Sequence, residues 1–445
     1  MARKLFGTDG IRGVAGEYPL DRATANAVGA ALGQWVVSSG KDLQVVVGMD
    51  TRESGPWLAA EVAGGLARKD VRAKFAGVTT TPGVAYLAKS GRFAAGVMIS
   101  ASHNPYQDNG IKIVGHSGYK LPDEEEEGIE ESIFALIESG VGSAPVEMAV
   151  DEGLDGSYID HLASTMTAPL GGIELVVDCA NGSASHLAPA LLERLGAKVH
   201  AIGASPNGRN INLNCGSLHL ESLRAAVLKR GARLGVAFDG DADRALFVSR
   251  SGRIVDGDAV LLIAARHMQR HGRLRVPFVV ATVMSNLGLE QALSANGINL
   301  IRTPVGDKYV LEEMLNRGAA LGGEQSGHVI FRDYATTGDG MLTALRLLDV
   351  MIETGAELDS LIQELQIYPQ TLVNVRIKQR KPLEEIHSVK EEIRAAEACF
   401  GANGRVLVRF SGTEPLARVM VEGPDQERVE HFAQRIASQI QIELG

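Results

Sequence analysis

Five short strings hold most of the side chains able to do chemistry. The densest is Ile99-Ser100-Ala101-Ser102-His103-Asn104-Pro105, followed by Asp108-Asn109-Gly110-Ile111-Lys112. A serine that emerges from a strand end into a loop can act as a nucleophile or carry a phosphoryl group if cations and donors surround it. His103 and Lys112 are candidates for that company, although an ordinary Ser/Asx turn closed by Pro105 has the same composition. The second string is Phe238-Asp239-Gly240-Asp241-Ala242-Asp243-Arg244. Three carboxylates at every second position repel one another unless a cation binds them, and hard oxygen ligands suit Mg²⁺ or Ca²⁺. An EF-hand needs Gly at its sixth position and Glu at its twelfth, where this chain has Arg244 and Arg250. Aspartates binding through one oxygen each leave room for a phosphate oxygen, which favours Mg²⁺; a polar loop without metal is the alternative.

The third string, Arg409-Phe410-Ser411-Gly412-Thr413-Glu414-Pro415 with Arg418 beyond, offers guanidinium, hydroxyls and open backbone to an anion. It lacks the Gly-Lys-Ser/Thr of a nucleotide P-loop, and a plain turn between two strands is its other reading. The fourth, Gly322-Gly323-Glu324-Gln325-Ser326-Gly327-His328, suits hydrogen bonding to a polyol or a loop with a satisfied histidine. The fifth, Phe6-Gly7-Thr8-Asp9-Gly10-Ile11-Arg12-Gly13, places Thr8 and Arg12 on a phosphate or merely turns the chain.

The elements that must position these strings read as short apolar strands, each followed by a Gly- or Asp-rich turn and an amphipathic helix. Residues 44–48, 175–177, 234–238 and 278–281 are continuous, β-branched-rich runs of that kind, and residues 94–99 precede the serines. Such runs predict mixed or parallel sheets covered on both faces, with ligands gathered at the carboxyl ends of strands. The acidic run 123–131 reads as a solvated helix start. A glycine-rich stretch at 139–157, a strand end near Gly252 and a change of pattern at Tyr368-Pro369 divide the chain into 1–150, 151–252, 253–368 and 369–445. The tail reads helix, strand, turn, strand, helix, with Val429, Phe432, Ala433, Ile436 and Ile440 on one face of the last helix.

Composition narrows the field. Of 445 residues, 45% are hydrophobic and 22% charged, the profile of a globular protein too long for a single core. A formal net charge of −10 argues against nucleic-acid and anionic-membrane partners, which need a basic footprint. It leaves room for a small phosphorylated substrate. Cys179, Cys215 and Cys399 form no CxxC pair, which fits a reducing cytoplasm. Asp9 and Arg12 interrupt any signal-peptide core, and no apolar run approaches the length of a membrane span.

Together, in their order along the chain and across nearly its whole length, the five strings resemble the α-D-phosphohexomutase family. The resemblance implies an α/β architecture of three mixed-sheet domains and a smaller C-terminal α+β domain around a central cleft. It implies that Ser102 is the phosphoserine and that Asp239, Asp241 and Asp243 hold one Mg²⁺ together with an oxygen on Ser102. Arg12, Lys112 and Arg244 would lie near the transferring phosphate, and Glu324, Ser326 and His328 would bind the sugar. Arg409, Ser411, Gly412, Thr413 and Arg418 would clamp the phosphate that is not reacting. Glu324-Gln325-Ser326, Asn212, Cys215-Gly216-Ser217 and the segment 81–86 are more similar to the glucosamine branch. That branch implies interconversion of glucosamine 6-phosphate and glucosamine 1-phosphate through a 1,6-bisphosphate, feeding UDP-N-acetylglucosamine synthesis. Hexose 1,6-bisphosphate is the implied activator, and a monomer or homodimer the implied state. A phosphomannomutase/phosphoglucomutase is the nearest alternative. A phosphatase with Asp239 as nucleophile and a sugar-phosphate sensor without turnover are more distant ones.

Overall fold

The computed structural model describes residues 5–7, 9–411 and 415–445. Strands β1 (Ile11–Val14), β2 (Gln44–Met49), β3 (Arg72–Val78), β4 (Ala95–Ile99) and β5 (Asp108–Gly115) form the first sheet, ordered β1-β5-β4-β2-β3. β3, β2 and β4 run parallel, and β5 and β1 are added antiparallel. Val45, Val47, Val97 and Ile99 pack into one core with Val28, Leu32, Leu58 and Val62 of the helices Arg22–Ser38 and Gly55–Ala67. Val46 and Met98 join a second core with Val84 and Leu87 of the helix Thr81–Ser90. Burial on both faces is why these strands read as unbroken apolar runs.

The second sheet holds β6 (Glu174–Asp178), β7 (Lys198–Ile202), β8 (Leu234–Phe238), β9 (Ala245–Ser249) and β10 (Ile254–Val255), in the order β10-β9-β8-β6-β7. The third is β12 (Asn299–Thr303), β11 (Phe278–Thr282), β13 (Leu321–Gly323) and β14 (Val329–Phe331), in that spatial order. The fourth is antiparallel throughout: β15 (Gln370–Arg376), β17 (Leu416–Glu422) and β16 (Arg405–Phe410). The expected three mixed α/β sheets and one smaller α+β sheet are therefore present. No helix among the described residues is long and apolar enough to cross a membrane.

The chain packs as two compact units, Met1–Val283 with Ile301–Ile362, and Met284–Leu300 with Gln363–Gly445. In the second unit the core includes Val419, Val421, Val429, Ala433, Ile436 and Ile440, so the apolar face read in the last helix is buried, with Phe432 at its margin. There the helix Leu287–Ala295 starts on the buried Glu422, whose Oε1 accepts from the Leu287 N–H at 2.9 Å while Arg405 pairs with its other oxygen.

Three local expectations change. The acidic run does begin a helix, Asp123–Glu138, but not a fully solvated one. Glu126 and Glu130 are buried, and Glu130 accepts the backbone N–H groups of Leu5 and Phe6 at 2.8 and 3.0 Å. The glycine-rich linker is shorter than its composition suggested, because Gly153 and Gly156 lie inside the helix Glu152–Ser164. The second sheet continues past Gly252, since β10 pairs with β9 through Val255.

Asp339 caps the helix Gly340–Thr354 by accepting from the Leu342 N–H at 2.9 Å, and its other oxygen accepts from Tyr158 Oη at 2.8 Å. Burial pushes its carboxyl up to about 6 despite these donors. An acid whose folded pKa is raised stabilises the fold at low pH and loses that contribution as pH rises through the folded value. Between about pH 4 and 6 the wild type should lose about 2 kcal/mol from this group. Asp339→Asn keeps an acceptor for the cap and should flatten that part of the curve; equal pH slopes of the thermal midpoint in both proteins would refute the assignment.

Candidate active site

Four of the five chemical strings occupy the connections of antiparallel hairpins rather than strand-to-helix turns. Ile99 pairs with Ile111, so the serine loop joins β4 to β5. Phe238 pairs with Ala245, which leaves Asp239 to Arg244 as the connection between β8 and β9. Gly323 pairs with Val329, with Glu324 to His328 between them. Phe410 pairs with Ala417 in the fourth sheet. A hairpin fixes both ends of its loop by ladder hydrogen bonds, so side chains in it are held more tightly than on a free turn.

The serine and aspartate loops meet backbone to backbone. A Cβ on Gly240 would stand 2.4 Å from Ser102 O, so only glycine fits there. Ser102 takes a left-handed conformation, φ +53°, uncommon for a residue with a side chain. Its buried hydroxyl lies 2.5 Å from Asp239 Oδ2 and 3.3 Å from His103 Nδ1. Burial, then the Arg244 and Arg12 charges, push His103 down to about 4, so this imidazole is neutral at pH 7.

The carboxylates of Asp239, Asp241 and Asp243 are all buried, with ligand oxygens within 4.8 Å of one another. Asp239 is held well above the usual carboxylate range by burial and then by the Asp243 and Asp241 charges. Asp241 Oδ2 accepts from Thr81 Oγ1 and from Lys112 Nζ at 2.8 Å. Asp241 Oδ1 and Asp243 Oδ1 are buried without a hydrogen-bond partner among the described residues. Unsatisfied, crowded hard oxygens are the donor set a divalent cation suits, so the residues fit a metal ion.

Arg12 on β1 pairs with Gly110 on β5, two residues before Lys112, so the strand alternation puts the two basic side chains on one face. Lys112 Nζ lies 2.9 Å from Asp9 and 2.8 Å from Asp241. Burial opposes its charge, but Asp241, Asp9 and Asp243 outweigh burial and keep the ammonium protonated. Arg12 pairs with Asp9 at 2.5 Å, and Arg244 Nε lies 3.8 Å from Asp243. Glu324 Oε1 accepts from the Gly306 N–H at 3.1 Å, with Ser326 Oγ 3.4 Å from Oε2. His328 is buried; its Nε2 accepts from the Gly338 N–H at 3.0 Å, which leaves Nδ1 as the protonated nitrogen, 3.6 Å from Asp243 Oδ2. Gln325, read with the sugar loop, turns its side chain to the Asp256 carboxylate.

In the second unit, Arg409 and Arg418 stand directly opposite each other across β16 and β17, and Arg380 donates to Ser411 O at 2.6 Å. Gly412, Thr413 and Thr8 lie outside the described residues.

Two residues that hold Ser102 escaped the sequence reading. Arg52 is fully buried, pairs with Asp50 at 2.9 Å, and donates to the carbonyls of Ser102 (3.0 Å), Asn104 (2.8 Å), Asp108 (3.0 Å) and Pro105. Asn212, noted only as a branch marker, donates to Ser102 O at 2.9 Å and Asn104 O at 3.1 Å. The only signal for Arg52 was its place just after a buried strand, where ligand loops gather.

Models of the phosphoglucomutase/phosphomannomutase family match four segments: alpha/beta/alpha domain I at residues 3–139, domain II at 156–252, domain III at 256–368 and the C-terminal domain at 372–439. The chain belongs to this family, and its architecture is the four-domain one of the phosphohexomutases. It is 59% identical over 445 residues, all of both chains, to a phosphoglucosamine mutase of Solibacter usitatus. Among solved structures it superposes on a family protein from Burkholderia thailandensis with TM-score 0.80 at 24% identity, covering 98% of this chain and 97% of that one. It also superposes on Aspergillus fumigatus N-acetylphosphoglucosamine mutase in complex with GlcNAc-6P and magnesium, with TM-score 0.63 at 17% identity, covering 99% and 96%.

Arg52→Lys keeps the charge opposite Asp50 but cannot span four carbonyls. Loosening the serine loop by about 1 Å should lower kcat by about tenfold to a hundredfold and leave KM within about twofold, because no sugar contact is removed. A kcat equal to wild type in steady-state assays would show that Arg52 serves folding alone.

Proposed function

We propose that this mutase interconverts glucosamine 6-phosphate and glucosamine 1-phosphate through a phosphoserine at Ser102. The observation that carries the reading is the Ser102 hydroxyl, held in a strained conformation 2.5 Å from a buried three-aspartate loop. The free hydroxyl of the sugar phosphate attacks phosphorus on phospho-Ser102; the Oγ–P bond breaks, a sugar O–P bond forms, and the hydroxyl proton ends on the departing Ser102 Oγ. The resulting 1,6-bisphosphate turns over, and its other phosphate returns to Ser102 by the reverse displacement. Asp239, Asp241 and Asp243 would hold Mg²⁺, which supplies neutralisation of charge on the transferring group. Arg12, Lys112 and Arg244 add fixed positive charge around the same oxygens. In the dephosphorylated enzyme the serine hydroxyl donates its proton to Asp239 Oδ2, with the neutral His103 Nδ1 3.3 Å from Oγ.

Glu324 and Ser326 read the sugar hydroxyls, and Arg409, Ser411, Gly412, Thr413 and Arg418 hold the second phosphate. His328, its polar atoms committed to Gly338 and Asp243, supports the aspartate loop more directly than the sugar. The proposed domain limits remain 1–150, 151–252, 253–368 and 369–445, with hexose 1,6-bisphosphate as activator. Three unpaired cysteines support a cytoplasmic location. The glucosamine assignment rests on the 59% identical relative and on the loop sequence Glu324-Gln325-Ser326.

Phosphorus NMR of the purified protein with Mg²⁺, a trace of hexose 1,6-bisphosphate and glucosamine, mannose or glucose 6-phosphate tests this. Glucosamine 1-phosphate should appear fastest, and Ser102→Ala should slow it at least about a thousandfold. Faster turnover of another hexose would move the substrate to a sister branch. Inorganic phosphate in place of a 1-phosphate would make the protein a phosphatase and end the proposal.

A further inference from the structure

On the surface of the first unit, away from the aspartate loop, two histidines and a glutamate converge. His267 lies in the helix Gly257–Arg270 and His271 follows its last residue, so the two imidazoles stand four residues apart on one helical face. Their ring centroids are 4.4 Å apart. Glu353, from the helix Gly340–Thr354, inserts its carboxylate between them. His267 Nε2 lies 2.8 Å from Oε2, and His271 Nε2 lies 2.7 Å from Oε1. The three ligand atoms all fall within 4.8 Å of one another.

One further contact separates this cluster from a chance pair of surface ion bridges. His271 Nδ1 donates to the backbone carbonyl of His267 at 2.8 Å. That bond fixes the ring orientation and leaves Nε2 as the nitrogen that faces Glu353. It is the support that metal-bound histidines characteristically receive through their second nitrogen. Hydrogen bonds to both imidazoles also hold the Glu353 carboxyl below its usual range, so the oxygen ligand is ionised.

We propose that His267, His271 and Glu353 form a second metal site, distinct from the aspartate loop, for a borderline transition-metal dication with zinc as the best match. Two imidazoles and one carboxylate make a zinc-type donor set, whereas Mg²⁺ and Ca²⁺ prefer oxygen alone. On binding, each imidazole releases its Nε2 proton to solvent and the metal takes its place between nitrogen and carboxylate. A fourth position stays open to water, as in other three-ligand sites. The ion would cross-link the two helices.

Equilibrium dialysis of the full-length protein against Zn²⁺, with millimolar Mg²⁺ present to occupy the aspartate loop, tests the assignment. Wild type should retain one zinc per chain, and His271→Ala and Glu353→Gln should each bind it at least about tenfold more weakly. Both variants should keep wild-type mutase turnover, which also reports that they fold. Zinc should raise the thermal midpoint of wild type more than that of either variant. No zinc retained by wild type, or equal retention by wild type and both variants, would overturn the site.

Discussion

Everything around the serine depends on the burial of three carboxylates in one six-residue hairpin loop. Two unit charges 4 Å apart cost about 4 kcal/mol at the effective dielectric of a protein near its surface, and the buried Asp239, Asp241 and Asp243 crowd their oxygens within 4.8 Å of one another, so that the Asp239 carboxyl is held well above its usual range. The fold answers with fixed positive charge. Lys112 is shared between Asp241 and Asp9, Asp9 is shared between Lys112, Arg12 and Lys120, and Lys120 continues to Asp307 at 2.7 Å. Burial alone would raise the Asp9 carboxyl, yet the Lys112, Lys120 and Arg12 charges hold it well below its usual range. The result is a chain of alternating sign that ties loops of the first three sheets together. Removing Lys112 would take from the buried Asp241 the ammonium that faces it, a costly kind of polar loss.

The second constraint is main-chain geometry. Ser102 reaches Asp239 because its own carbonyl is occupied from behind by Arg52 and Asn212. Ser100 fixes the step before: its hydroxyl donates to Asp50 Oδ2 at 2.6 Å and accepts from the Ser102 N–H at 2.9 Å. Asp50 thus serves both ends, pairing with Arg52 and holding Ser100. A left-handed residue costs of order 1–3 kcal/mol and persists only where the surroundings over-determine it. Here five hydrogen-bonding groups and the absent side chain of Gly240 do so.

Each reacting string alone also read as an ordinary turn or polar loop; together, in one order along the chain, the strings made the site legible. Their mounting was not legible. A strand buried on both faces looks the same whether a helix or an antiparallel partner follows, so periodicity could not separate β8–loop–β9 from a strand-to-helix turn. Arg52 was invisible for another reason. An arginine after a strand normally lies in solvent, and only the convergence of four carbonyls from residues 102–108 explains its full burial. Gln325 was read only as a marker of the glucosamine branch; its side chain supports Asp256, which accepts the Ala259 N–H at the start of the next helix. The acidic run failed halfway, since Glu130 is spent on two backbone amides that no local pattern could name.

The anion clamp shows how far a register can carry a sequence reading. As a string, Arg409 to Pro415 was equally a turn. In the fourth sheet Arg409 faces Arg418 directly, a like-charge arrangement that destabilises an antiparallel pair. Burial and then the Arg418 charge lower the Arg409 guanidinium's affinity for its proton. Val408 and Val419, one position away, supply the apolar packing that holds the hairpin together against this repulsion. A strand pair that sets two arginines opposite each other concentrates positive charge, which suits an anion. In the proposed reaction the non-reacting phosphate would be that anion. Under the proposed function, binding energy of this kind, remote from the bond being broken, would be available to orient the substrate.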